Sequence, residues 1–306
     1  MQHTYTYEGA LAVSERINWR VEDLIGEEKK LDFSRSFLPE TLARVEPLAF
    51  LSRDEKRILN QIRGHDYLYT FGLVEEFILP FVMDHARGGL VTDAYDDYEV
   101  RALLEFAGEE AKHIHLFKRF REEFIKGFHV TCGVIGPPHE IAKAVLRHHS
   151  LAVAFTIMHI EWMTQRHFKD SVKDDQDLDP QFKSLLKHHW MEEAQHAKLD
   201  TLMIEHMAST MGEKEIAQAV DEYLEIGSML DAGLEQQTRF DLESFEQAVG
   251  RRLSDGERAQ FIGVQHQACR WTYLGSGMTH KNFLGTLEQL QPEARKRIEA
   301  IAPTFC

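Results

Sequence analysis

The sequence is poor in cysteine: it contains only three, Cys132, Cys269 and Cys306, and they lie far apart. An odd number at such spacing fits neither a disulfide framework nor a thiolate zinc site, and it is typical of reduced thiols. Long apolar runs are missing as well, because the cleanest stretch, 151–155, is far below the roughly 18 residues that span a bilayer. The first seven residues have neither the basic nor the apolar region of a signal peptide. We therefore expect a cytoplasmic protein without a membrane segment.

Basic residues are outnumbered: 35 lysines and arginines stand against 50 aspartates and glutamates, which gives a formal net charge of −15. A chain this acidic lacks the positive surface that nucleic acid or an anionic membrane requires. Part of the carboxylate surplus can instead serve to bind cations inside the fold. The 17 histidines add a second type of metal-binding side chain.

Glycine and proline are sparse and collect at a few points, which favours long helices joined by short loops. No stretch of useful length alternates as a strand does, and no tandem repeat is present. Ser52 and Glu55 have the spacing of a capping box, and helical periodicity continues from there to Gly88-Gly89. A second helix is predicted over about 97–127.

A third helical stretch is predicted over about 139–173, as a short helix that leads into a longer one. Asp179 and Pro180 then form a good N-cap and first-turn pair for a fourth helix, which ends near Gly212. These two stretches complete a set of four long helices.

The chain is accordingly divided into three parts of a single domain. Residues 1–50 are interpreted as an N-terminal arm and 51–212 as a four-helix bundle. Residues 213–306 are predicted to add helices packed on that bundle, one of them starting at a capping box of Ser254 and Glu257.

The motif Glu-x-x-His occurs twice, as Glu110 with His113 and as Glu193 with His196. Composition alone produces roughly two such matches by chance, so the motif by itself proves nothing. Its placement is more informative, because residues three apart share one face of a helix and can grip one ion from the same side.

Each motif helix is preceded by a helix that carries a glutamate in an apolar setting. Glu75 lies among apolar residues in the first helix and Glu161 in the third, although the neighbouring Glu76 competes with Glu75 for the inward position. A glutamate buried in such a stretch is costly without a cation or another partner. These glutamates therefore favour a buried cation site.

The heights of the four positions along their helices agree. About 12 residues separate Glu75 from the end of its helix, and about 13 separate the start of the next helix from Glu110; at 1.5 Å per residue both arms measure roughly 19 Å. The hairpin with Glu161 and Glu193 gives the same match. One glutamate from each of two helices and Glu-x-x-His from each of two others is the ligand pattern of ferritin-like di-iron and di-manganese proteins. We therefore predict an all-α, ferritin-like four-helix bundle with additional N- and C-terminal helices.

His189 extends this pattern, because it precedes Glu193 by four residues and lies on the same stripe. With this H-x-x-x-E-x-x-H helix, the sequence over roughly 65–205 resembles the p-aminobenzoate N-oxygenase family of di-iron enzymes. The resemblance implies seven metal ligands: Glu75, Glu110, His113, Glu161, His189, Glu193 and His196. It also implies use of dioxygen at two irons to oxidise an organic substrate, often an arylamine nitrogen.

Several polar neighbours have open roles. Glu109 and Glu192 each precede a predicted ligand and point about 100° away from it, so they are interpreted as surface groups or as groups that support a ligand. Asp200 either accepts an N–H from His196 or is solvated. His188 is expected to be structural.

The leading hypothesis is a di-iron monooxygenase that acts on a small organic molecule, with manganese as a possible metal because the ligands are carboxylates and imidazoles. Electrons must come from an external donor, since no flavin or nicotinamide fingerprint is present. A homodimer is expected from the class. The alternatives are a ferroxidase or iron-handling protein and a non-enzymatic helical interaction protein.

Overall fold

The structure, a computed structural model, describes residues 3–90 and 97–306. Within these ranges the regular elements are helical, which confirms the all-α fold. In chain order the α-helices are α1 (Tyr7–Ser14), α2 (Glu40–Ala43), α3 (Arg53–Leu90), α4 (Asp97–Gly127), α5 (Pro138–Leu146), α6 (Ser150–His167), α7 (Pro180–Ala208), α8 (Glu213–Val249), α9 (Asp255–Arg270), α10 (Ser276–Met278), α11 (Lys281–Leu290) and α12 (Pro292–Ile301).

The long helix α3 begins as predicted, because the Glu55 carboxylate accepts the Ser52 backbone N–H at 2.8 Å and the Ser52 hydroxyl accepts the Glu55 N–H at 3.3 Å. The helix continues through the predicted stop at Gly88-Gly89 to Leu90. The connection that follows, 91–96, lies outside the described residues.

The predicted third stretch is divided: α5 and α6 are separate, and a π-helical turn, Phe168–Val172, follows α6. Almost every residue of α6 is buried, which makes it the central helix of the core. The predicted start of α7 is confirmed, since the Asp179 carboxylate accepts the Phe182 N–H at 2.6 Å. The second oxygen of Asp179 accepts the Asp32 N–H at 2.9 Å and so ties the N-terminal arm to the bundle.

Four helices surround the interior in two hairpins, α3 with α4 and α6 with α7, and the hairpins meet where α4 packs on α7. Helix α1 packs across α4 and α7, whereas α8 packs across α3 and α6. Both sides of the four-helix core are thereby covered, so polar groups that point inward are removed from water.

A buried charge cluster fastens α8 to α3. The Arg63 guanidinium donates to the Asp66 carboxylate on its own helix and lies 3.5 Å from a carboxylate oxygen of Asp241 on α8. The carboxylates are held in turn by Thr70 and Gln237. Among the described residues, no helix is long and apolar enough to cross a bilayer.

Candidate metal centre

The four core helices bring all seven predicted ligand residues into one buried cluster, in which each has a relative exposure of 2% or less. Helix α3 turns Glu75 inward and leaves Glu76 exposed. The choice between these two residues is a matter of helix rotation, which packing decides and local sequence does not.

Glu193 lies at the middle of the cluster. Its Oε1 atom is 3.0 Å from Nδ1 of His113 and 2.6 Å from Nε2 of His189. Its Oε2 atom is 3.0 Å from Nδ1 of His196. The two oxygens of one carboxylate therefore face different histidines, His113 and His189 on one side and His196 on the other.

Two sets of donor atoms converge within 4.8 Å, and they share His113 and Glu193. Glu75 and His189 complete the first set, and Nε2 of His189 lies 3.2 Å from Oε1 of Glu75. The second set is completed by Glu110 and His196, whose Oε1 and Nδ1 atoms are 2.7 Å apart.

Glu161, the remaining predicted ligand, belongs to neither converging set but shares a hydrogen bond with Glu193. Its carboxyl group is 1% exposed, and its Oε2 atom has no hydrogen-bond partner. The structure therefore places Glu161 beside the Glu193 carboxylate, within the same buried cluster.

The two histidines of the Glu-x-x-His motifs are oriented by glutamates from the opposite hairpin. Nε2 of His113 donates to Glu192 at 2.9 Å, and Nε2 of His196 donates to Glu109 at 2.7 Å. Both glutamates are buried, so they are not surface groups but support the two candidate ligands. With Nε2 engaged, Nδ1 of each ring is left facing the cluster.

Glu109, and not Asp200, accepts the N–H of His196. Asp200 is not solvated: it is fully buried, and neither carboxylate oxygen has a hydrogen-bond partner. Burial raises the pKa of Asp200 well above its ordinary value, with Glu110 acting in the same direction and His196 opposing it.

The N-terminal arm contributes a residue that sequence reasoning missed. The Trp19 ring is nearly parallel to the His113 ring, at 6.2 Å between centroids. Nζ of Lys112 lies 4.2 Å from the Trp19 centroid and also pairs with Glu192. No periodic signal singles out Trp19, because it lies in a segment without regular structure.

The carboxylates of the cluster create a negative potential that favours bound protons or cations. Although burial by itself lowers the pKa of His113, Glu193 and Glu192 raise it to about 10. Burial together with Glu193 raises the pKa of Glu161 well above its ordinary value. Crowded carboxylates thus hold protons on their neighbours, and cations can replace those protons.

Buried acceptor atoms without hydrogen-bond partners also favour a bound cation. One carboxylate oxygen each of Glu75, Glu110 and Glu161, the Oε2 atom, is buried without a hydrogen-bond partner among the described residues. Such atoms are costly in a dry core and need an explanation such as a bound ion. A set of carboxylates and imidazoles without thiolates fits two divalent cations of the iron or manganese type.

No family model and no curated protein matches the sequence. Among solved structures, the chain is similar to point mutants of an R2-like ligand-binding oxidase. One with an anaerobically reconstituted Mn/Fe cofactor has a TM-score of 0.48 at 14% identity and covers 92% of this chain and 93% of its own. Another with that cofactor has a TM-score of 0.45 at 15% identity, covering 87% and 93%. A third, with an aerobically reconstituted Fe/Fe cofactor, has a TM-score of 0.43 at 14% identity, with the same coverage.

Proposed function

We propose that the protein is a di-iron oxygenase that uses dioxygen to oxidise a small organic molecule. The observation that carries this proposal is the position of Glu193, between His113 and His189 on one side and His196 on the other. A carboxylate shared by two converging donor sets, together with Glu and Glu-x-x-His residues from four helices, would suit a pair of metal ions.

Iron is the metal that the donor set suits best, and manganese is the alternative in one or both positions. Carboxylate and imidazole ligands favour these metals over the soft ions that thiolates bind. The structural neighbours carry Mn/Fe or Fe/Fe cofactors, which agrees with this assignment. When bound, reduced iron supplies the electrons for reduction of dioxygen.

The protein's own residues hold the ions and exclude water. Glu192 and Glu109 hold the histidine rings in place, so that Nδ1 of each ring is available to a cation. Full burial of the cluster between the two hairpins strengthens every electrostatic interaction within it. An external electron donor is needed to restore the reduced state, because no flavin or nicotinamide fingerprint is present in the sequence.

A small apolar cavity of about 30 Å³ is lined by Phe71, Val74 and Ile160. The Phe71 ring lies 5.3 Å from the His189 ring between centroids, so the cavity borders the cluster. This volume is large enough for a molecule the size of water or dioxygen. It does not hold an arylamine, so oxidation of an arylamine nitrogen requires side chains around the cavity to move.

The first test is metal content after anaerobic loading with Fe(II). We expect two irons per chain in the wild type, loss of iron in Glu75→Gln and retention of both irons in the matched control Glu76→Gln. Less than one iron per chain in the wild type would exclude a metal centre and favour a helical interaction protein.

The second test separates an oxygenase from a ferroxidase, the runner-up. We expect a fixed, small consumption of dioxygen per loaded chain, with further consumption only when a reductant and an organic substrate are added. Continuous oxidation of many irons per chain, with mineral formation, would identify iron as the substrate and rule out the oxygenase.

A further inference from the structure

A groove of about 320 Å³ lies between α3, α4 and the start of α5, and its lining includes none of the candidate metal ligands. Its surface is mostly apolar, and the apolar part of the wall includes Leu73, Ile114, Phe117, Ile125 and Pro138. Ile125 stands at the edge of the groove with 59% of its surface exposed. A concave apolar surface left open to water is a feature of ligand sites.

Arg121 is the cation inside this groove, and it is held in place from two sides. Its Nε donates to Nε2 of His65 at 3.2 Å, and its guanidinium carbon lies 4.8 Å from the centroid of the Tyr69 ring. Tyr69 is itself anchored, since its hydroxyl donates to the carbonyl of Ile135. The guanidinium is therefore positioned before any ligand arrives.

Arg121 has no ion pair with a carboxylate of a described residue. Burial lowers the pKa of its guanidinium, and only Tyr69 and Cys132 oppose that shift. A guanidinium that has lost part of its hydration and has no counter-charge gains most from a bidentate carboxylate.

The other charged residues that line the groove are either paired or exposed at its rim. Glu122 is already paired with Arg119 at 2.7 Å. Lys118 and Glu76 are both exposed at the rim and opposite in sign. The uncompensated charge on the apolar wall is therefore positive and comes from Arg121.

We propose that this groove binds a small carboxylate with an apolar body, whose carboxylate pairs with Arg121 and whose body packs on Phe117 and Leu73. The volume is at the lower end of the roughly 300–1,000 Å³ found for small-molecule sites, so the ligand has one ring or a short chain. This assignment rests on the contacts of the groove and is independent of the reaction proposed for the metal centre.

The floor of the groove adjoins the metal centre. The Phe117 ring lies 5.0 Å from the His189 ring and 5.6 Å from the Phe71 ring, measured between centroids. A molecule in the groove is thus separated from a candidate metal ligand by a single aromatic ring.

The test is a calorimetric titration of the full-length protein with octanoate and benzoate, compared with the neutral octanamide and benzamide. We expect each carboxylate to bind at least tenfold more tightly than its amide. Arg121→Gln should abolish this difference, and Arg121→Lys should leave an intermediate one, because the charge is kept and the planar fork is lost. The matched control is Arg101→Gln. Arg101 lies on α4, as Arg121 does, but forms an exposed pair with Glu15 of the N-terminal arm, so this variant should bind like the wild type.

Equal binding of acid and amide by the wild type, or unchanged selectivity in Arg121→Gln, would overturn the proposal. A carboxylate can also bind the metal ions directly, so the titrations are repeated after chelation. Binding that survives chelation and disappears in Arg121→Gln supports the groove. Binding that chelation removes and Arg121→Gln keeps refutes it. Iron content and circular dichroism of each variant separate these outcomes from loss of the metal centre or of the fold.

Discussion

Nε2 of His113 on α4 donates to Glu192 on α7 at 2.9 Å, although the two residues belong to different hairpins. A matching hydrogen bond connects the hairpins in the other direction: Nε2 of His196 on α7 donates to Glu109 on α4 at 2.7 Å. Each glutamate directly precedes a candidate ligand on its own helix. The two motif helices thus orient each other's histidines, and the motif that matters is Glu-Glu-x-x-His.

Replacement of Glu192 by alanine should weaken Fe(II) binding about 10- to 100-fold, since the His113 ring loses the acceptor that holds its orientation. Anaerobic Fe(II) titration measures the change. Glu105→Ala, at an exposed position of α4, is the control and should bind iron like the wild type. An unchanged affinity in Glu192→Ala would show that the Glu192 contact does not prepare the site.

His189→Ala should reduce the iron content from two ions per chain toward one, because His189 belongs to only one of the two converging donor sets. The adjacent His188 is half-buried, and its Nδ1 contacts the Ser184 carbonyl at 2.7 Å. His188→Ala should therefore keep both ions. Metal analysis of the two purified variants decides, and equal iron contents would remove His189 from the ligand set.

Arg63→Met should destabilise the protein by about 3–5 kcal/mol, because it leaves the carboxylates of Asp66 and Asp241 buried without their cation. The exposed pair of Arg239 and Glu235 offers the comparison, and Arg239→Met should cost less than about 1 kcal/mol. Urea unfolding of both variants measures the two free energies. A loss of similar size in both would mean that the buried cluster does not fasten α8 to α3.

Stability should fall in mild acid, in part through His65. Burial and then Arg121 lower the pKa of His65 in the folded protein from 6.5 to about 3. Between these values the unfolded chain binds one more proton, so this stabilisation is complete above about pH 6.5 and decreases by about 1.4 kcal/mol per pH unit as the pH falls.

His65→Gln keeps an acceptor for Arg121 and removes the titrating group. Urea unfolding at pH 7 and pH 5 should show a smaller loss of stability in this variant than in the wild type. If the wild type and His65→Gln lost equal stability over that interval, His65 would not be held neutral by the fold.

The sequence by itself determined where the core helices lie and at what height along them the candidate ligands stand, because both depend on local helix geometry. Capping residues such as Ser52 and Asp179 start helices where the backbone N–H groups need acceptors. A rise of 1.5 Å per residue brings Glu75 level with Glu110 and Glu161 level with Glu193. The helical fold and the residues that converge were predictable for that reason.

Only the tertiary structure decided what depends on the rotation and contacts of whole helices. It turned Glu75 inward and Glu76 outward, placed Glu109 and Glu192 on histidines of the opposite hairpin, and brought Trp19 of the arm against His113. These partners are far apart in the chain, and the packing of two helices has several solutions with the same apolar stripe. Local periodicity does not distinguish these solutions. The full set of interior contacts selects one of them.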